Sequence, residues 1–470
     1  MSHFLSELAA IPSGVQHAAE VLARLDQCFI TGFGRMSERE VNAVTSLPRL
    51  FSSTPLGPKV KEACDALLRS EFVEKHFASL ACARAALQGS MSDALLQQAK
   101  TALGRSPSTD EPELSDGVSP GHHGVFREST RHFLMEVALT GFAQLEAESV
   151  YPFYATLDKI QEEPGLVRLA AVLSGFLSEL LSELPIPTGE TIPIYRWVDL
   201  WTRAMLLSLS APPAPKTEKI SGEFVPLGSD VRHHRNVFSV CVYGFLRNGT
   251  SQRFVQTTVS AFKVDTVIGH EMWRLLEGHC DKLLKGLRDG AMWKVADLDL
   301  YENGDLVWDE SRVTVAGKSN PFDVAETALG AGKAVVCGKR SGLDRHPAMI
   351  AEPVFLSSYK TVKHETHKSK RASIGETLEE QALDLSGSKL PLSGARVSEY
   401  AGISLDRVAK SSAMIGLLRF DKGRWAIQPL ALKQGNAAEL SGTPPQTLKA
   451  KDDTVGVLRE RASKLLRKKS

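Results

Sequence analysis

Apolar residues recur every three or four positions through the first 210 residues of the chain, then give way to strand-like runs. Val60, Cys64, Leu67 and Leu68 form one stripe behind Pro58, a residue suited to the first turn of a helix. Phe77, Leu80, Ala81, Ala85 and Leu87 continue the helical spacing. Residues 104–124 are rich in Ser, Pro, Gly and acid, too polar to support a core, and predict a flexible linker. Beyond them Leu134, Ala138, Gly141 and Leu145, widened by Phe133 and Val137, predict a second helical block. Pro164-Gly165 opens a strongly apolar helix. Arg168, Ser174, Ser178 and Glu179 interrupt its apolar run, which predicts a buried helix and not a membrane span. Trp197, Leu200, Trp201, Ala204 and Leu207 give a further amphipathic face, with the tryptophans packed inward. No repeat of fixed period is visible, so this half reads as a helical bundle or array.

The proline-bearing stretch 211–218 predicts a stiff hinge, and the pattern changes after Ser221. Two β-rich runs meet at Asn248-Gly249, a hairpin signal because both positions tolerate positive φ. The first run is apolar on both faces and so belongs inside a sheet. A helix is predicted from about His270 to Arg288, then a second hairpin turning at Asn303-Gly304. KAVVCG and AEPVFLSSYKTV are further strand-like pieces. The result is an α+β or small-barrel domain over 219–375.

Residues 394–432 predict a short helix, a turn at Ala401-Gly402, a second helix capped by Ser404, and a hairpin at Asp421-Lys422-Gly423. That order is a winged helix-turn-helix, which reads DNA or docks proteins. The fold class expected is therefore α+β multidomain: a helical N-terminal half, a central α+β or small-barrel domain, and a C-terminal winged-helix-like module. Its divisions are a helical domain 1–103, a linker 104–124, a helical domain 125–210, a hinge 211–218, the α+β domain 219–375, the winged-helix-like module 376–440 and a basic amphipathic tail 441–470.

Composition narrows the chemistry. Lys plus Arg number 56 against 55 Asp plus Glu, so any attraction to a polyanion must come from a local patch. Six scattered cysteines form no CxxC pair and suit buried, reduced thiols. The N-terminus lacks the basic and apolar regions of a secretory signal, and a cytoplasmic location is expected. HEMWR at 270–274 resembles a zinc-protease helix, but Arg274 stands where the second ligand belongs. Around Gly332-Lys333, Thr327 and Ala334 replace the glycine and hydroxyl of a nucleotide loop, leaving at most a weak anion site at Lys339 and Arg340. The pairs His122-His123 and His233-His234 are adjacent, and neighbouring strand residues point to opposite faces, a poor arrangement for one ion. The residues therefore predict no catalytic, metal or cofactor site.

Two basic stretches remain, 358–373 and the tail. In the tail Val455, Leu458, Ala462 and Leu465 form one stripe among Arg461, Lys464, Arg467, Lys468 and Lys469. A basic amphipathic helix of this kind docks on a partner, a membrane or nucleic acid, or covers a seam of its own protein. Candidate DNA or partner contacts are Arg407, Lys410, Arg424, Leu458, Leu465 and Lys468.

VSEYAGISLDRVAK is similar to the helix-turn-helix of lactose-repressor-type regulators. That likeness implies a recognition helix beginning at Leu405, Asp406, Arg407 and Lys410. Over about 195–432, the segments IPIYRWVDLWTRAMLL, FVPLGSDVRHHRNVFSVCVYGFL, VSAFKVDTV, NGDLVWDE and LLRFDKGRWAIQPLAL resemble uncharacterised bacterial proteins. Those are encoded beside MoxR-type AAA+ ATPases and von Willebrand A-domain proteins. That resemblance implies a non-catalytic adaptor or scaffold in a chaperone-like assembly. ATP and metal chemistry then belong to the partners. A DNA-binding regulator is the alternative.

Overall fold

The computed structural model describes residues 2–105, 124–184, 194–210, 216–233, 237–249, 251–264, 266–330, 335, 337–338, 342–363, 381–385, 387–393 and 403–444. Most of the expected linker, the residues 211–215 of the expected hinge, and the tail from 445 lie outside them. The chain forms two compact units, one of residues 12–94 with 111–214 and one of 1–11, 95–110 and 215–470. Helices occupy mainly the N-terminal half, and antiparallel sheets the C-terminal half. The two helical blocks expected as separate domains on either side of 104–124 form a single unit, because each completes the other's core.

After α1 (Ser2–Leu8), which belongs to the β-rich unit, the first block comprises α2 (Val15–Thr31), α3 (Glu38–Ser46), α4 (Gly57–Leu68) and α5 (Glu74–Ala102). The second comprises α6 (Gly124–Thr140), α7 (Ala147–Val150), α8 (Tyr154–Glu162), α9 (Val167–Glu183) and α10 (Ile194–Leu209). Phe29 of α2 packs edge-on to Trp201 of α10, with centroids 4.7 Å apart, and stacks on Phe142. Each such aromatic, fully buried, contributes about 1.5–3 kcal/mol of transfer free energy. Helix α9, with the single turn before it, is long and apolar enough to cross a membrane by length and composition. In this unit it buries Leu169, Leu173, Phe176, Leu177 and Leu180 along one face.

The two blocks repeat one local design. α2 and α6 each have 17 residues, and each ends on a glycine, Gly32 or Gly141, with φ 84° and ψ 146° or φ 80° and ψ 145°. A short 3₁₀ turn follows in both, Phe33–Arg35 and Phe142–Gln144, then an extended residue opening the next helix. The blocks cross at these glycines. A Cβ on Gly32 would stand 2.3 Å from the Leu139 carbonyl oxygen, and one on Gly141 2.3 Å from the Gly32 nitrogen. No fixed period in the sequence announces this repeat; the Thr-Gly-Phe triplets at 31–33 and 140–142 are its visible trace.

One buried polar knot holds the unit together. Arg84 of α5 donates to both carboxylate oxygens of Asp26 at 2.8 and 3.0 Å, to Asp199 at 3.3 Å and to the Tyr195 carbonyl at 3.1 Å. Burial pushes the Asp26 carboxyl above its ordinary range against the pull of Arg84.

In the β-rich unit, β1 (Thr217–His233) is flanked by β2 (Val237–Asn248) and β4 (Ala291–Tyr301), with β3 (Ser251–Phe262) and β5 (Val313–Lys318) outside them. The hairpin joining β2 and β3 forms, but one residue later than the sequence predicts: Asn248 still pairs with Ser251 and Gly249 takes φ 58° in the turn; β2 is interior as expected. β1 begins inside the expected hinge. Residues 304–307 bond to β4 through Tyr301 and Asp299 and to β3 through Gln256, so the ladder returns from β4 to β3. Phe224, Phe238, Trp273, Leu283 and Trp293 fill its interior. The single helix expected from His270 to Arg288 is instead a 3₁₀ helix, Gly269–Leu276, and α11 (Asp281–Asp289). Gly278, at φ 84°, breaks the path.

α12 (Pro321–Ala328), capped by Asn320, packs Phe322 into a second core between this sheet and another. That second sheet runs β12-β11-β10-β6, from β6 (Glu352–Ser357), β10 (Ala413–Asp421), β11 (Arg424–Gln434) and β12 (Ala437–Leu440). β7 (Lys360–Lys363), β8 (Gln381–Leu385) and β9 (Ser388–Pro391) make a small third sheet. The hairpin at Asp421-Lys422-Gly423 forms, with Lys422 and Gly423 at positive φ. β10 and β11 are buried along nearly their whole length, and β10 pairs with β6 from the segment assigned to the central domain. The boundary at 375–376 therefore divides residues of one sheet. The first helix of the expected helix-turn-helix lies outside the described residues; the second is α13 (Leu405–Lys410).

Candidate functional site

The described contact candidates are held by neighbouring groups. Ser404 accepts the Arg407 amide, as an N-cap does. The Arg407 guanidinium pairs with Glu439 of β12, and Lys410 stands 3.9 Å from Asp406. Arg424 faces Asp421 across the hairpin turn, whereas Glu439 registers with Leu432 eight residues along β11. At strand rise that is about 26 Å, so Arg424 shares no patch with Arg407 and Lys410. Leu458, Leu465 and Lys468 lie outside the described residues, as do Gly332, Lys333, Lys339, Arg340, His122, His123 and His234. His270 is exposed on a 3₁₀ turn with Glu271 and Trp273 buried beside it, which removes the helical geometry a zinc-protease motif needs. Among the described residues no three His, Cys, Asp or Glu side chains are grouped to hold a metal ion.

Among the described residues of the helical unit, an open groove of about 540 Å³ runs along the outer face of α6. Val125, Ser129, His132 and Phe133 form one wall, and Ser149, Pro152, Phe153 and Thr156 the other. Phe133 and Phe153 stack at 4.1 Å with planes 13° apart, giving an aromatic floor. Pro152 sits in the first turn of a 3₁₀ helix, where its missing N–H costs nothing. Val125 at the mouth is 74% exposed.

Arg127 and Arg131 of α6 donate to the Leu207 and Ser208 carbonyls at the end of α10, each at 3.0 Å, where cations complement the helix dipole. Glu74, Glu128 and Glu136 border the groove. His132 stands 3.6 Å from Glu74 and 4.0 Å from Glu136. An apolar floor with an acidic rim suits a polypeptide segment carrying both apolar and cationic side chains. Sequence reading placed Phe133 only on a core stripe. What makes the groove is the return of 149–156 against α6, which no local pattern announces.

The other dense polar cluster is closed. In the β-rich unit Arg419 donates to Gln428 at 2.8 Å, the Ile350 carbonyl at 3.1 Å and the Tyr243 hydroxyl at 3.1 Å. Asp230 accepts two bonds from Arg232 at 2.9 and 2.6 Å, and its other carboxylate oxygen is buried with no hydrogen-bond partner. Burial pushes the Tyr243 hydroxyl well above its usual range. These groups lie between the two sheets, where they set sheet-to-sheet register.

The buried cysteines are unreactive thiols. Burial pushes Cys28, Cys64 and Cys280 up to about 12. A thiol reagent at pH 8 is expected to leave these three unmodified in the native protein and to label them after denaturation. Peptide mapping checks this, and rapid native labelling of Cys28 would contradict its burial.

Compared with known family models, curated proteins and solved structures, the chain matches none.

Proposed function

We propose that the protein is a non-catalytic adaptor or scaffold that holds a partner polypeptide, and that it works in the cytoplasm within a MoxR-type AAA+ and von Willebrand A-domain assembly. The observation that carries the docking role is the groove on α6, with its stacked Phe133–Phe153 floor and acidic rim. The assembly itself rests on the sequence resemblance over 195–432. Support also comes from the buried charges. Asp26, Arg84, Arg105 and Glu352 are each spent in ion pairs that bind elements together.

Tagged protein purified from its native host is expected to bring down the ATPase and the A-domain protein. Val125→Asp, at an exposed groove position, is expected to lower that recovery severalfold without changing the circular dichroism. Unchanged recovery would remove the groove from the adaptor role.

The runner-up is a DNA-binding regulator, in which the winged-helix-like reading of 376–440 places Arg407 and Lys410 on a duplex. Arg407 is engaged by Glu439, which supports docking over phosphate binding. DNA reading demands a log–log salt slope of about −0.9 per neutralised phosphate. It also demands that Arg407→Ala/Lys410→Ala abolish sequence-specific binding in fluorescence anisotropy. The adaptor reading expects only weak, sequence-blind association.

A further inference from the structure

We infer that the groove on α6 receives a cationic amphipathic helix of a partner protein; this rests on the adaptor reading and names the partner's chemistry. The repeat inside the helical unit isolates the feature. Because α2 and α6 are equally long and end on matching glycines, their positions correspond one to one. Several buried positions keep their character: Leu25 corresponds to Leu134, Cys28 to Val137 and Phe33 to Phe142, all buried, although Asp26 corresponds to Met135. The outer face does not. Gln16, Ala19, Ala23, Arg24 and Gln27 of α2 correspond to Val125, Glu128, His132, Phe133 and Glu136 of α6. One copy carries alanine, glutamine and a single arginine there, with no aromatic and no carboxylate. The other carries an aromatic, an exposed valine and two carboxylates, all lining the groove. Core packing demands none of these changes, since the corresponding positions of α2 are exposed or half-buried.

Geometry and charge specify the occupant. Val125 to Glu136 is eleven residues, so the wall is about 16 Å long, three helical turns. A helix of that length presents apolar anchors at i, i+3 or i+4 and i+7 to one floor. Glu128 and Glu136 lie about 12 Å apart along the α6 axis, two turns, which matches basic residues flanking such a stripe. Arg127 and Arg131 donate to the end of α10, and Arg131 also pairs with the rim carboxylate Glu74 at 3.3 Å, so the rim acids that specify the occupant are Glu128 and Glu136.

The test is fluorescence polarisation with the full-length protein and labelled fourteen-residue peptides. The probe is LKKLLKLLKKLLKL, and its control carries glutamate at every lysine. The probe is expected to bind and the control not. Glu128→Lys/Glu136→Lys, confined to exposed side chains, is expected to weaken the probe at least tenfold with an unchanged melting temperature. Phe153→Ala is expected to weaken it at any salt concentration, whereas raising salt weakens the wild type. Equal binding of probe and control, or indifference to the double reversal, overturns the proposal. Binding only by a peptide of this chain's own residues 454–470 also overturns it, because the occupant is then not a partner's helix. If the probe fails while Val125→Asp still loses its partners in the pull-down, this inference falls and the adaptor reading stands. If both fail, the adaptor reading falls too.

Discussion

Arg84→Met is expected to destabilise the helical unit by about 3–5 kcal/mol, because it strands the Asp26 carboxylate in a dry interior with no counter-charge. Arg84 is 2% exposed and Asp26 4%, so solvent cannot substitute for the lost guanidinium. At about 2–4 °C per kcal/mol for a body of this size, the melting temperature drops by roughly 10 °C. Urea denaturation followed by tryptophan fluorescence reports it, since Trp197 and Trp201 lie in the same core. The pH dependence has a definite sign. A lone buried carboxyl has its folded-state value raised, so folding is favoured below the unfolded value and penalised as pH rises through the folded one. Acidifying Arg84→Met from neutral pH should therefore recover part of the loss. Asp26→Leu combined with Arg84→Met should recover most of it, because no charge is left unpaired. A single variant as stable as the wild type would show that the knot contributes nothing.

Gly32→Ala and Gly141→Ala form the second large prediction, and the two should behave alike. Both glycines hold φ near +80°, and both lie against backbone atoms of the other block that cannot rotate away. The conformation costs about 1–3 kcal/mol for a residue with a side chain. Forcing the crossing apart adds about 1–3 kcal/mol of overpacking. A loss of about 2–6 kcal/mol follows for each variant, read by the same denaturation. The paired variant should lose less than the sum, because one displacement relieves both clashes. A change below about 0.5 kcal/mol in either, the range of an ordinary surface substitution, would refute the crossing.

Much of the secondary structure is legible without coordinates, for local reasons. The spacing of Trp197, Trp201 and Ala204 dictates a buried helical face whatever packs on it. Gly249 and Gly423 turn the chain because glycine adopts positive φ without strain. Ser404 caps α13 because its hydroxyl reaches the Arg407 amide. Where the sequence misleads, a non-local contact decides. The run 413–421 reads as part of a self-contained hairpin module until β6, remote in the chain, pairs along the other edge of β10. The interval from His270 to Arg288 has helical spacing throughout, yet Gly278 divides it and the interior under Trp293 takes the two pieces separately.

The groove marks the same limit. Phe133 and Val125 carry a helical pattern that fits a core as well as a surface, and periodicity cannot tell one neighbour from another. Only the crossing at Gly32 and Gly141, and the return of 149–156 against α6, make Phe133 a floor and Glu128 and Glu136 a rim. The sequence by itself determined which stretches become helix and which become strand over most of the chain, though not every boundary, because those choices rest on backbone conformation and on neighbours within one turn. The tertiary structure alone decided that two helical blocks share one core and that one outer face faces a groove, because such pairings join residues whose separation along the chain leaves no periodic trace.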